Sequence, residues 1–311
     1  MFNMKKISLI ALILLLMGAA GSFITFKKMN HSVSVLEEKG ITDQNITHLS
    51  VTTDNAAIEI IPTNKQETTV EVSGTAKKSS AYTFLADVEG TTLSVQLKER
   101  QTKLYNFDFI STSLSLKVYV PEKVYDSLRI SSDNGRVKAA NLRVKEVKVK
   151  VSNGRVELRD ITGSTITTET DNGRIQAENL DVKQVKATTS NGRIDLKNVY
   201  SSAVSVKADN GKIILDDVNG KVLGKVKNGM ISLMTNHLDR PIEFESDNGN
   251  IKIQTEKEPT NTTFDVSVDN GKIDLLDGYK PNEIIGDGDH FIKLTTANGK
   301  ISITKQKTIN K

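Results

Sequence analysis

The sequence predicts an all-β protein, namely a parallel β-solenoid of coils about nineteen residues long with an N-terminal β capping subdomain and one N-terminal transmembrane helix. Three observations lead to this prediction. An Asn-Gly dipeptide recurs at nearly constant spacing, apolar and polar residues alternate in phase with it, and an uncharged apolar run lies near the N-terminus.

The N-terminal element is the apolar run, which covers residues 7–26. A helix of that length spans about 30 Å, the thickness of the hydrocarbon core of a bilayer. Lys5 and Lys6 precede it, so the positive-inside rule places the N-terminus in the cytoplasm and the body outside. The alternative is a signal peptide cleaved near residues 18–20, after which the body would be secreted. We therefore expect a single-pass protein of the cell membrane with an extracytoplasmic body.

The body of the chain consists of a repeated unit. The nine Asn-Gly dipeptides of the repeat, from Asn134 to Asn298, are 19, 19, 19, 19, 18, 20, 22 and 28 residues apart. Apolar residues lie seven positions before each Gly and two and four positions after it, so each unit holds two short strands of period two. Because Asn and Gly tolerate positive φ, we predict a structural turn at each dipeptide. The predicted turns are Asn134-Gly135, Asn153-Gly154, Asn172-Gly173, Asn191-Gly192 and Asn210-Gly211, followed by Asn228-Gly229, Asn248-Gly249, Asn270-Gly271 and Asn298-Gly299.

Two architectures fit this pattern. The units can be coils of a parallel solenoid with equivalent strands stacked in register, or hairpins of an antiparallel meander. The meander would be a sheet of about eighteen strands with one bare apolar face, whereas open sheets rarely exceed about ten strands. The solenoid buries the apolar residues of both strands, and we favour it.

The rest of the chain divides around this array. Residues 48–60 match the repeat as a degenerate first unit, and residues 61–127 break the period with strands expected near 68–74, 82–88, 92–98 and 113–120. The predicted organisation is a membrane anchor or signal at 1–28, a tether at 29–45, the N-terminal β subdomain at 46–127, the array at 128–305 and a tail at 306–311.

The composition argues against several classes of chemistry. The chain has no Cys, and its four His residues are scattered. Apart from the four lysines that flank the apolar run, 38 basic residues balance 38 acidic ones, which gives no excess for binding nucleic acid. Two acidic segments, residues 216–220 and 287–289, fall short of a full calcium loop. We expect no enzyme activity, no metal and no cofactor.

A column of basic residues is the one candidate binding feature. It follows the Asn-Gly dipeptides and consists of Arg136, Arg155, Arg174, Arg193 and Lys212. In a solenoid these residues lie about 4.8 Å apart and can contact an anionic cell-wall polymer. The competing interpretation, which we favour, is that the Asp residues before Asn-Gly neutralise them, namely Asp133, Asp171 and Asp209.

The Asp/Ser-Asn-Gly-Arg/Lys units and the segment 114–121 resemble a bacterial family of adhesin-like proteins with β-strand repeats and undefined function. The chain is similar to its membrane-anchored, LiaG-like members from Gram-positive bacteria, and the resemblance covers about 45 to 305. It implies a place in the cell envelope near a system that senses cell-wall damage, and it brings no catalytic residues.

The function expected from these observations is that of a non-enzymatic surface interaction or scaffold protein, tethered to the membrane through residues 7–26. The alternative is an accessory regulator or sensor of the envelope-stress response that acts through a membrane-protein partner. A carbohydrate-active enzyme on a β-helix scaffold is the third possibility, because the positions of the many carboxylates are not visible in a sequence.

Overall fold

The computed structural model of the 311-residue chain describes residues 4–29, 32–77, 81–100 and 113–306. One helix, α1, is followed by strands throughout, which confirms the all-β class. The elements are α1 (Met4–Met29), β1 (Ser32–Ile41), β2 (His48–Thr63), β3 (Thr68–Lys77), β4 (Ala81–Glu89), β5 (Thr92–Arg100), β6 (Ser113–Pro121), β7 (Val124–Tyr200), β8 (Ala203–Val218), β9 (Lys221–Thr235), β10 (Ile242–Thr255), β11 (Thr262–Asp274), β12 (Ile284–Ile285) and β13 (His290–Lys305).

Helix α1 covers the apolar run at the N-terminus. Within the described part of the chain, no helix combines the length and the apolar character needed to cross a membrane. The crossing of a membrane by residues 7–26 stays a prediction.

Successive repeat units pair as parallel strands in register. Asn191 of β7 is opposite Asn210 of β8, and Asn210 is opposite Asn228 of β9. Within β7, the asparagines of consecutive units are hydrogen-bonded to each other at an offset of 19 residues. This register is the one that the solenoid requires. The antiparallel pairs between different strands of the described residues lie at the two ends of the array instead.

The interior of the array is filled from both halves of each unit. Val147 and Val149 before the Asn-Gly dipeptide are buried, and so are Val156 and Leu158 after it. The alternation of period two therefore places one apolar side of each strand inside the coil and leaves the polar side exposed. Equivalent aliphatic residues stack from unit to unit, so the core forms a continuous column along the whole array.

The N-terminal end is closed by two separate pieces of sheet. Strand β2 forms the first coil and pairs with β7 on its inner side. On its outer side, β5 pairs with the first half of β2 and β6 pairs with the second half. Strand β4 extends the first piece, while β3 and β1 extend the second.

The region predicted as a tether is partly a strand. Residues 29–45 were expected to form a short polar tether, and within them β1 pairs along its whole length with β3. Val35 packs against the core and Ile41 is buried, so the short alternation of apolar residues in this segment is enough to add one strand to the sheet. Of the predicted tail at 306–311, residues 307–311 lie outside the described residues.

The C-terminal end does not follow the order of the chain. Strand β13 lies between β10 and β11, and it is parallel to both. The unit of Asn298 is therefore stacked between those of Asn248 and Asn270. The short strand β12 pairs with the outer edge of β11.

Candidate interaction surface

The asparagines of the Asn-Gly dipeptides form a continuous column of hydrogen bonds on the exterior of the array, here called the Asn column. Asn172 donates its Nδ2 to Oδ1 of Asn153 at 2.9 Å, and Asn191 donates to Asn172 at 3.0 Å. The same bond recurs along the array, in the order Asn55, Asn134, Asn153, Asn172, Asn191, Asn210, Asn228, Asn248, Asn298 and Asn270. At the N-terminal end, Asn55 donates to Glu99 of the cap. The column fixes the register of every unit that it joins.

The glycines of the dipeptides allow neighbouring backbones to approach closely. A Cβ added to Gly173 would lie 1.8 Å from the carbonyl oxygen of Gly154, and one added to Gly192 would lie 1.8 Å from that of Gly173. The backbone on both sides of each dipeptide continues in the same parallel pairing. The dipeptides Asn134-Gly135 through Asn210-Gly211 therefore lie within continuous parallel strands and are not the hairpins of the antiparallel alternative. The structural turn expected at each of them stays a prediction.

The non-glycine residues with positive φ lie at another position of the repeat, although several glycines of the dipeptides, such as Gly135, also have positive φ. Seven positions after the asparagines of five successive units, φ is between 49° and 56° at Asn141, Asp160, Asn179, Asn198 and Asp217. Asn179 donates to Asp160 and Asn198 donates to Asn179, so this corner carries a second, shorter ladder. The sequence held the signal, because Asn and Asp are the non-glycine residues that adopt this conformation most readily.

The predicted basic column is aligned along the array, and four of its members are neutralised. Arg136 and Arg155 both contact Glu157. Arg174 and Arg193 share Asp195, with Nε to carboxylate distances of 3.0 and 2.6 Å. Lys212 makes no ion pair within the described part of the chain. Burial alone would raise the pKa of Glu157, but the two arginines hold this pKa below its ordinary value.

The neutralising carboxylates are not the predicted ones. Asp133 and Asp171 make no ion pair among the described residues, while Asp209 contacts Lys207 and Lys227 instead. Glu157 and Asp195 come two positions after an arginine, which places them on the same outer face of the strand. This spacing of two was visible in the sequence, but which arginine of a neighbouring unit each carboxylate reaches depends on the register.

The same face continues as a lattice of opposite charges. Lys138 contacts Glu59 of the first coil at 2.6 Å, and Arg159 contacts Glu178 at 2.9 Å. These pairs join neighbouring units and are largely solvent-exposed, so each adds little to stability. Together they give an outer face of mixed charge, on which Lys138, Arg159 and Glu178 line a shallow cavity of about 190 Å³.

One histidine lies close to a serine and an aspartate. His48 Nδ1 is 2.8 Å from Ser127 Oγ, and its Nε2 is 4.0 Å from Asp126 Oδ2. The second distance is too long for a hydrogen bond, and Ser127 is only 3% exposed. The hydroxyl is therefore closed to a substrate, and the pair is explained by the register of β2 and β7, in which His48 is opposite Ser127. Among the described residues, no three His, Asp or Glu side chains are placed to hold a metal ion.

Two adjacent residues, Asp239 and Arg240, join three irregular units. Arg240, 5% exposed, donates to the carbonyl groups of Val218 and Gly220, and burial lowers its pKa to about 10. On the opposite side, the carboxylate of Asp239 accepts hydrogen bonds from residues 260–262. Burial alone would raise the pKa of Asp239, but hydrogen bonds from this segment lower it to about 2.

Comparisons with known proteins identify the fold. The profile of the family described as Toastrack DUF4097 matches residues 46–304. A structure named "putative adhesin" from Parabacteroides merdae ATCC 43184 is 13% identical, with 88% of this chain and 96% of that chain covered and a TM-score of 0.51. Another of the same name, from Parabacteroides distasonis ATCC 8503, is 12% identical, with 88% and 97% covered and a TM-score of 0.51. At these identities the likeness shows the fold alone. No curated protein matches the chain.

Proposed function

Because this chain belongs to the Toastrack family, we propose that it is a non-enzymatic, adhesin-like surface protein of the cell envelope, which presents its β array on an N-terminal membrane tether. The similarity to an adhesin-like family noted in the sequence agrees with this assignment. Membership of the LiaG-like group from Gram-positive bacteria is part of the proposal.

The observation that carries the proposal is the continuous Asn column. It holds ten units in one register from Asn55 to Asn270, so that every outward side chain has a fixed place in a repeating lattice. A long, stiff surface of this kind is suited to contact with an extended or repeating partner. The names of the two Parabacteroides structures support a surface role of this type.

The tether determines which end of the array faces the membrane. Only residues 30 and 31 separate α1 from β1, so the N-terminal cap lies next to the bilayer under this proposal. Nine steps of about 4.8 Å separate the units of Asn55 and Asn270, which places the far end about 43 Å further out. The C-terminal units are then the part presented to the surroundings.

Two measurements test the tether and the orientation separately. Protease added to intact protoplasts should digest the body, whereas protection would overturn the extracytoplasmic location. Because the chain has no Cys, Leu36→Cys and Asp277→Cys give single labelling sites at opposite ends of the array. Energy transfer to acceptors in the lipid headgroups should be strong from position 36 and weak from position 277. Equal or reversed transfer in a membrane-bound protein would contradict the orientation alone.

The exposed basic column is a weak polyanion site under this proposal. Arg136, Arg155, Arg174 and Arg193 each share a carboxylate, so an anionic polymer has to compete with an existing pair. We expect little binding of purified anionic wall polymer at physiological salt, both by the parent and by a variant with all four arginines changed to Gln. Strong, salt-sensitive binding that is lost in the variant would instead identify a wall-polymer receptor.

A further inference from the structure

We propose that Asn219 is the site at which the folded chain undergoes spontaneous deamidation, while the Asn-Gly dipeptides inside the Asn column, which are held by a side-chain hydrogen bond on both sides, are protected. The sequence contains ten Asn-Gly dipeptides, and Asn219-Gly220 is the one that does not belong to the column.

Deamidation at Asn-Gly needs no enzyme and no cofactor. The backbone nitrogen of Gly attacks Cγ of the Asn side chain, and the side-chain amide leaves as ammonia to give a five-membered imide. Water then opens the imide at either carbonyl and yields Asp or isoaspartate. The reaction requires that the side chain turns back toward the following nitrogen and that this nitrogen is not held in a hydrogen bond. Glycine at the second position favours it because there is no Cβ in the way.

The Asn column opposes both requirements. The side chain of Asn191 is held on both sides, since it donates to Asn172 at 3.0 Å and accepts from Asn210 at 2.9 Å. The backbone of the same dipeptide is part of a continuous parallel pairing with the next unit. To form the imide, an inner member of the column has to leave two side-chain hydrogen bonds and distort the strand.

Asn219 has no such restraint. It lies in the corner between β8 and β9, where its backbone nitrogen donates to Val199 at 2.8 Å. Within the described residues its side chain makes no hydrogen bond, and neither does the backbone nitrogen of Gly220, the attacking atom. Gly220 has a φ of +79°, in the left-handed region of a turn rather than in a strand.

Deamidation at Asn219 would affect the contact between this corner and Arg240 of the next unit. Arg240 donates to the carbonyl groups of Val218 and Gly220, on the two sides of Asn219. Isoaspartate adds one atom to the backbone between these two carbonyls, so both cannot keep their places around the guanidinium. Deamidation at Asn219 would therefore loosen the junction between β8 and β9 and leave the Asn column intact.

The chain offers a matched control for the test. Asn210 and Asn219 are both followed by Gly and Lys, so their local sequences are alike while their structures differ. The full-length protein would be incubated in mildly alkaline buffer, and the conversion at each site followed by peptide mass mapping. We expect conversion at Asn219 to be at least about tenfold faster than at Asn210 in the folded protein, because Asn210 must first lose its hydrogen bonds. In denaturant the two rates should converge.

Two variants sharpen the result. Asn219→Gln should abolish the reaction at this site and leave the column unchanged. Asn191→Ala removes the acceptor of Asn210 and should accelerate conversion at Asn210. Equal rates at Asn210 and Asn219 in the folded protein would overturn the proposal. A difference that persists in denaturant would also do so, since it would come from the sequence and not from the fold.

Discussion

Replacing Gly192 by Ala tests whether the Asn-Gly dipeptides serve close stacking. The new Cβ would lie 1.8 Å from the carbonyl oxygen of Gly173, whereas real Cβ contacts are essentially never shorter than 3.0 Å. The two backbones must therefore separate by more than 1 Å. Parallel strands lie only about 4.8 Å apart, so a shift of this size breaks the backbone hydrogen bonds beside Gly192 and the 3.0 Å bond between Asn191 and Asn172.

The cost can be estimated from these bonds. If two backbone hydrogen bonds and the bond between Asn191 and Asn172 are lost at about 1 kcal/mol each, the cost is about 3 kcal/mol. A further penalty for any group left buried and unpaired brings the estimate to roughly 3–5 kcal/mol. Asn191→Ala removes the side-chain bonds alone and should cost only about 1–2 kcal/mol, because the released groups are exposed to water. Lys186→Ala, at an exposed position without an ion pair among the described residues, should stay within about 0.5 kcal/mol.

Urea unfolding followed by far-ultraviolet circular dichroism measures these differences. Because each unit of a repeat protein is stabilised by its neighbours, a break at one unit should lower the midpoint of the main transition. If Gly192→Ala unfolds at the same urea concentration as the parent, or no earlier than Asn191→Ala, close backbone stacking is not what the glycine provides.

Two further predictions concern the core and the C-terminal units. Ile194→Asp should destabilise the array by several kcal/mol, since Ile194 is 0% exposed and a carboxylate there has no partner, while Arg193→Ser should cost within about 1 kcal/mol. Equal shifts of the melting temperature would mean that the strand faces are wrongly assigned. Because the pKa of Asp239 is lowered from 3.8 to about 2 in the folded state, its contribution to stability is present above pH 4 and is lost as the pH falls toward 2. Asp239→Asn should reduce this loss in stability measurements between pH 4 and 2, and an unchanged pH profile would exclude Asp239 as its source.

The positions of the strands could be predicted from the sequence because burial has period two. The cap strands were expected near 68–74, 82–88, 92–98 and 113–120, and they are found at Thr68–Lys77, Ala81–Glu89, Thr92–Arg100 and Ser113–Pro121. The inward positions of the repeat, such as Val156 and Ile194, are also buried as predicted. Each of these predictions needs only the local alternation of apolar and polar residues and the turn-forming residues that separate one run from the next.

What could not be predicted depends on which strands lie side by side. An Asn-Gly dipeptide between two alternating runs fits a hairpin and a stacked coil equally well, and only the pairing of Asn191 with Asn210 decides between them. The partners of Arg174 and Arg193 follow from the same pairing, because Asp195 serves arginines of two different units. Strand β1 was missed since its partner β3 lies beyond a whole intervening strand in the sequence.

The place of β13 between β10 and β11 makes completion of the fold depend on the end of the described chain. Synthesis proceeds from the N-terminus, so β11 is made before the strand that must separate it from β10. The early units can pair with one another as they are made, but the outer edge of β10 stays unpaired until β13 has been synthesised. A chain cut before His290 would leave that edge open to pairing with other chains. The array between β10 and β11 is thus completed only after β13 has been made, since this strand follows β11 in the chain and yet lies inside the sheet.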